Sequence, residues 1–208
     1  MEVDRPAPGE QLNTGETKPA RQAATAIVLR DPQSGEAGPE VLLVQRNPDS
    51  RFMGGAWVFP GGAVHEEDDG HAGAALRELE EEAGIAIADV EQLVPFSRWI
   101  TPAEVTIRFD TVFFVAQAPP GAEARVDGAE CVDARWITPA AALEEFKRGE
   151  LTLVFPTIKH LEEVAGFASV EEALSAARGR EVVAVQPRVV VGADGAKVLM
   201  PGEPGYDD

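Results

Sequence analysis

The sequence predicts a mixed α/β sandwich, and three observations carry that prediction. Short runs rich in β-branched residues alternate irregularly with segments of helical period, hairpin spacings stand beside crossover spacings, and the longest helical segment has a one-sided apolar stripe. No internal repeat is present.

Residues 1–21 are rich in Pro, Gly, Thr and charge without apolar periodicity, and read as a flexible tail. Residues 22–208 then form a single domain, with a C-terminal extension from about residue 150. Ala23–Arg30 and Glu40–Arg46 read as strands separated by the turn-rich DPQSGEAGP. Ala56–Phe59 is a third short strand, closed by Pro60-Gly61-Gly62. From Ala72 to Ala83 the apolar positions Ala75, Leu76, Leu79 and Ala83 share one helical face, and Gly84 supplies a left-handed stop. Strands follow at about 91–100, 106–117 and 131–137, with Pro119-Pro120-Gly121 marking a loop. Thr138-Pro139 opens a helix with a capping residue and a first-turn proline. Another helix covers about 157–165, and Ser169 to Glu172 has the spacing of a capping box for a helix to Ala177. The remaining chain reads as strands broken by a Gly-Ala-Asp-Gly turn.

Composition narrows the function. The chain has 36 Asp and Glu against 18 Lys and Arg, a formal charge of −18, which repels nucleic-acid backbones and argues against a DNA- or RNA-binding module. No run of eighteen apolar residues is present, so no membrane span is expected, and the N-terminus lacks the features of a secretory signal. The single Cys131 excludes an internal disulfide framework and suits a cytoplasmic protein. An acidic protein can still take a small phosphorylated substrate when metal ions sit between the substrate and local carboxylates.

The chemistry concentrates in residues 61–85. On a helix of 3.6 residues per turn, Glu78 and Glu82 project side by side with Glu81 on their flank, whereas Glu80 points elsewhere. Three like charges this close destabilise a helix unless a cation joins them, and hard ions with oxygen ligands answer that need. The glycine turn just upstream can bring backbone groups to the same face, and Arg77 can pair with a glutamate and fix its rotamer. An acidic helix face that simply meets water is the alternative for any such run taken alone.

The segment resembles the Nudix box, G-x5-E-x7-R-E-U-x-E-E-x-G-U, with U aliphatic. Arg77-Glu78-Leu79-Glu80-Glu81-Glu82-Ala83-Gly84-Ile85 matches its second half without substitution. The first half departs from it. Counted from Gly62, the acidic position falls on Asp68, and one residue too many separates Asp68 from Arg77. Asp69 keeps the second spacing but puts the leading glycine at Ala63. The resemblance implies an α/β/α sandwich of Nudix type and hydrolysis of a diphosphate linkage with Mg2+ or Mn2+. It further implies Glu78, Glu82 and the Gly61 carbonyl as metal ligands, and Glu81 as a ligand or as the base for the attacking water. Arg77 would orient a glutamate. A further acid from a later loop is expected, with Glu130 the first candidate and Glu104 the second.

Arg51 to Gly62 fits R-x-x-x-G-x-x-x-F-P-G-G, a pattern that accompanies the box in coenzyme A diphosphatases, though Val44, Arg46 and Asn47 stand where that branch has small hydroxylic residues. The resemblance therefore implies a nucleoside diphosphate derivative as the small-molecule substrate, with coenzyme A or an acyl-coenzyme A first. ADP-ribose, NADH or a dinucleotide is the alternative, and a non-catalytic nucleotide sensor of the same fold is another. Arg46 and Arg51 can meet substrate phosphates or serve as surface charges. Phe59 and Phe109 are candidate substrate contacts, with Phe59 and Trp57 also fitting a core role. His65, His71 and His160 have no metal-ligand spacing. A homodimer is compatible with the related folds.

Overall fold

The computed structural model describes residues 12–13, 15–32, 38–192 and 195–207. Its elements in order are β1 (Arg21–Arg30), β2 (Glu40–Arg46), β3 (Trp57–Val58), β4 (Gly61–Ala63), α1 (Gly70–Ala83), β5 (Val94–Ile100), β6 (Phe109–Gln117) and β7 (Cys131–Ile137). They are followed by α2 (Pro139–Lys147), α3 (Phe155–Val164), α4 (Val170–Arg178), β8 (Ala184–Val185), β9 (Arg188–Gly192) and β10 (Gly195–Leu199). Among the described residues no helix is long and apolar enough to cross a membrane.

The mixed sandwich expected from the sequence is present. Strands run in the order β3-β2-β1-β6-β5-β8, with β4 on β1 and β7 on β2, while β9 and β10 form a separate hairpin. β1 pairs parallel with β6 over nine residues, from Arg21↔Phe109 to Leu29↔Gln117, and antiparallel with its other partners. The central strands are buried on both faces, and their period of two divides the core. Ala24, Ala26 and Val28 of β1 and Leu42 and Val44 of β2 pack against Ala75, Leu79 and Ala83 of α1. Ile27, Leu29, Val41 and Leu43 face the opposite side, against Ile158 and Leu161 of α3 and Leu174 of α4.

The helix ends behave as their sequences require. Gly84 adopts φ 64° and its N–H returns to Glu80 O. Thr138 and Ser169 accept from Ala141 N and Glu172 N. Glu172 reaches back to Ala168 N at 2.7 Å rather than to Ser169 N, a displaced form of the capping box. Two strands begin later than expected. Asp89 accepts the Glu91 N–H and starts a 3-10 turn at Val90–Gln92, so β5 opens at Val94. Arg108 donates to the carbonyls of Thr101 and Pro102 and, at 2.6 Å, to Lys18 O, which holds residues 101–108 as a loop before β6.

Leu12 bridges Val105, so the described part of the N-terminal segment lies on this loop; residues 1–11 of the expected tail, and residue 14, lie outside the described residues. The middle of the DPQSGEAGP turn and the two central residues of the C-terminal Gly-Ala-Asp-Gly turn also lie outside them.

Candidate active site

β1 and β2 share only two residue pairs, Leu29↔Val41 and Arg30↔Glu40, before turning to different partners, β4 for one and β3 and β7 for the other. A cleft of about 340 Å3 opens where they part. Its walls include Thr25 of β1, Arg46 at the end of β2, Gly61 and Gly62 of β4, and Glu78 and Glu82 of α1. The glycines are required by space. A Cβ on Gly61 would lie 2.5 Å from Ala24 O, and one on Gly62 would lie 2.3 Å from Glu78 Oε1. The glycine turn expected here is instead strand β4, paired with β1 and running against the carboxylates themselves.

Glu82 is 2% exposed. Its Oε2 accepts the Gly61 N–H at 3.0 Å, while Oε1 has Arg46 Nη1 at 3.9 Å. Burial pushes its carboxyl up to about 7, against the pull of the Gly61 N–H; the neighbouring charge of Glu78 adds to the rise and Arg46 opposes it. Glu82 also stands in the last turn of α1, where the helix dipole is negative and no basic residue of that turn compensates. A surplus of buried negative charge on oxygen donors is the environment a hard divalent cation fits.

Arg77 organises the other side. Its Nε and Nη2 grip both oxygens of Asp68 at 2.9 and 3.0 Å, Nη2 also reaches Ala63 O at 2.9 Å, and Nη1 donates to Glu78 at 2.8 Å and Glu81 at 3.1 Å. The guanidinium beside Asp68 holds that carboxyl well below the usual range, at about 2, and Asp68 holds Arg77 firmly protonated. Asp68, and not Asp69, therefore occupies the acidic position of the loop. The extra residue is taken up by a turn in which Asp68 accepts the His65 N–H at 2.8 Å and Gly70 adopts φ 61°.

The expected residues fall in different places. Glu78, Glu82, Gly61, Arg46, Phe59, Phe109 and Glu130 share the cleft. Glu81 is exposed on the outer side of Arg77, and in this arrangement no three His, Cys, Asp or Glu among the described residues form a ready ion-binding group. Arg51 is exposed and does not line the cleft. Glu130 sits at its mouth, positioned by Asn47 N–H donating to its carbonyl at 2.8 Å and by its own N–H on Asp127 at 2.9 Å. Glu104 accepts the Val189 N–H at 3.2 Å and belongs to the C-terminal hairpin instead. Sequence reasoning missed Arg21 and Met53, which also line the cleft. Arg21 stands at the strand start that was read as tail, and Met53 is brought in by a turn in which its φ is 54°. Cys131 is buried, and burial, with the charge of Glu82, pushes its thiol up to about 12.

A sheet clasped between helices, with a glycine-bearing strand set against a glutamate-bearing helix, defines a Nudix-type protein. The NUDIX domain model matches residues 20–155, and the chain belongs to that family. It is similar to the human acyl-coenzyme A diphosphatase NUDT19, 32% identical over 123 residues, which cover 57% of this chain and 33% of that protein. It is also similar to an Escherichia coli K12 protein named as the Nudix hydrolase NudL, 46% identical over 82 residues, or 39% of this chain and 40% of that one. The matches thus span well under half the length of these curated relatives. Among solved structures, a NUDIX hydrolase from Alicyclobacillus acidocaldarius superimposes with a TM-score of 0.68 at 29% identity, covering 76% of this chain and 96% of that one.

Proposed function

We propose that this chain is a divalent-metal-dependent hydrolase that cleaves a diphosphate linkage in a nucleoside diphosphate derivative, with coenzyme A or an acyl-coenzyme A as the leading substrate. The observation that carries this reading is the placing of two buried carboxylates, Glu78 and the weakly compensated Glu82, against the Gly61-Gly62 backbone of β4 in the wall of an open cleft. Their oxygen donors suit Mg2+ or Mn2+. Glu78, Glu82 and the Gly61 carbonyl would hold the ion, joined by Glu81 once it leaves Arg77. A bound ion neutralises the diphosphate and lowers the pKa of a water ligand.

The protein's own groups supply the rest. Arg46 and Arg21 offer positive charge to the substrate phosphates from the two strands that border the cleft. Arg46 Nε is buried without a hydrogen-bond partner, so an arriving phosphate oxygen completes it. Glu130 supplies a further acid at the mouth for proton transfer. Arg77 positions Glu78 from the side away from the substrate. Phe52 and Phe109, with ring centroids 6.0 Å apart, present an aromatic surface beside the phosphates. A cytoplasmic location agrees with the single buried thiol.

The coenzyme A preference is supported by the Arg51–Gly62 pattern and by the likeness to a relative named as an acyl-coenzyme A diphosphatase. Turnover of coenzyme A, ADP-ribose and NADH, each with Mg2+ and with Mn2+, tests it. The expected result is coenzyme A cleavage above the other two. Brisk ADP-ribose cleavage without coenzyme A turnover would reassign the substrate, and no cleavage of any would leave the nucleotide-sensor reading.

A further inference from the structure

A second cavity, of about 90 Å3, adjoins the acidic cleft. The two spaces share Met53, Thr101, Thr111, Phe113 and Pro156 as walls and so lie side by side. Their chemistry differs sharply. The cleft presents Glu78, Glu82 and two arginines, whereas among the described residues no charged side chain lines the annex, whose walls include Trp99, Phe155, Val189 and Val198.

Part of this wall lies beyond the segment matched by the family model. Val189 and Val198 are directly paired across the β9–β10 hairpin. The hairpin is fixed against the loop after β5, where Glu104 accepts the Val189 N–H at 3.2 Å and meets Arg188 at 3.7 Å. Arg188 also donates to Tyr206 O, and Tyr206 donates to Gln186 O at 2.7 Å. The wall is therefore anchored rather than loosely applied. Trp99 and Phe155 meet near edge-on with centroids 6.1 Å apart, which makes a firm aromatic side. Water in such a space finds few partners, since Thr101 Oγ is already engaged by the Phe109 N–H at 3.0 Å and Thr111 carries the one other hydroxyl among the described walls. An apolar group replaces poorly held water at a gain. Met53, whose thioether adapts readily to shape, stands at the junction.

We propose that the annex receives an aliphatic portion of a diphosphate substrate, and that Trp99, Val189 and Val198 set the preference for apolar-tailed over polar-tailed substrates. The proposal rests on the hydrolase reading of the cleft, which holds the diphosphate end.

A series of P-alkyl esters of ADP, from methyl to octyl, tests it on the full chain with Mg2+. Specificity, read as kcat/KM, is expected to rise about fourfold per methylene buried, then level off when the annex is full. Trp99 emission shifts to the blue on saturation with the octyl ester but not the methyl ester, and Trp99→Phe removes that shift. Val198→Trp fills the annex and lowers the octyl-to-methyl ratio at least tenfold. Should that variant fail to fold, Val198→Ala moves the plateau to a longer chain. Equal kcat/KM for methyl and octyl esters, both being cleaved, overturns the annex assignment and leaves the hydrolase reading intact. If no diphosphate is cleaved with either metal, the hydrolase reading fails, and titration of the same esters decides the annex alone. Octyl binding tenfold tighter than methyl with the Trp99 shift supports it, and equal affinities overturn it.

Discussion

After the Cys131 thiol, Glu82 and His160 are the most deeply buried ionisable side chains among the described residues, at 2% and 1% exposure, and they lie on opposite faces of the sheet. His160 is complete. Its Nδ1 donates to Pro156 O at 2.7 Å, its Nε2 accepts from Ser97 Oγ at 2.6 Å, and its ring stacks on Phe113 with centroids 4.2 Å apart. Glu82 has one backbone N–H, the weak donor of the Cys131 thiol and an arginine at the edge of ion-pair distance, which leaves its charge only partly met. Buried polar groups are normally satisfied, so the satisfied one belongs to the architecture and the unsatisfied one marks where something must arrive. The two arginines of the site repeat the contrast, for Arg77 is saturated and Arg46 is not.

The largest expected effect falls on the incomplete side. Glu82→Gln keeps the Gly61 hydrogen bond and the volume but removes the charge that a cation needs. Metal-dependent turnover should fall on the order of 10³-fold, as for loss of a group that stabilises the transition state directly. The melting temperature in metal-free buffer should hold or rise, because one buried charge is gone. Full activity in Glu82→Gln would break the contrast by making Glu82 as architectural as His160.

The complete side predicts the reverse behaviour, with stability rather than turnover responding. Burial lowers the His160 imidazole to about 4, with the nearby Arg180 pushing the same way and the Pro156 carbonyl opposing. The unfolded chain takes up its proton near 6.5 and the folded chain only near 4, so stability present above pH 6.5 is lost as pH falls between these values. From pH 7 to pH 5 the loss assigned to His160 is about 2 kcal/mol. Urea denaturation at both pH values, compared with His160→Gln, isolates it from the carboxylates, including Glu82, whose raised carboxyl titrates in the same window with the opposite sign. A variant with the same pH slope as wild type would remove His160 from this role.

How much was legible in advance follows the same division. The glutamates of α1 were readable because helical period and residue type alone put Glu78 and Glu82 on one face. Arg46 was readable as a candidate but not separable from Arg51, since both flank the glycine-rich segment. The strand decides between them. Leu42 and Val44 face α1, so the period of two carries Arg46 to the same side, while Arg51 falls in an exposed turn. Asp68 and Asp69 were equivalent by spacing, and only the fork of Arg77 selects Asp68. Arg21, Met53 and the β9–β10 wall come together through long-range packing that local pattern does not encode. His160 carries no motif at all, and its burial follows from the aromatic residues that three separate segments bring around it.

Arg77 sharpens the contrast from within the site. A lysine keeps the charge but cannot span Asp68, Ala63 O, Glu78 and Glu81 with one planar fork. Arg77→Lys should cost about 2 kcal/mol in urea denaturation, less than a fully buried pair because Arg77 is partly exposed. Asp68→Asn should cost a similar amount, and the double variant distinctly less than the sum, because the two share one interaction. Strict additivity would show that the bracket is not a unit.

Arg46 gives the smallest and most diagnostic effect. If its buried, unpartnered Nε and its distant approach to Glu82 mean that it waits for a phosphate, its loss must appear in substrate binding and not in folding. Arg46→Gln removes one charge-assisted contact, which corresponds to about a tenfold rise in KM with kcat changed much less. Denaturation midpoints should stay close to wild type, since no strong hydrogen bond inside the protein is lost. The opposite pattern, a clear loss of stability with KM unchanged, would mean that the 3.9 Å approach to Glu82 is a structural ion pair. Arg46 would then stand with Arg77, and the cleft would need its phosphate-binding charge from Arg21 alone.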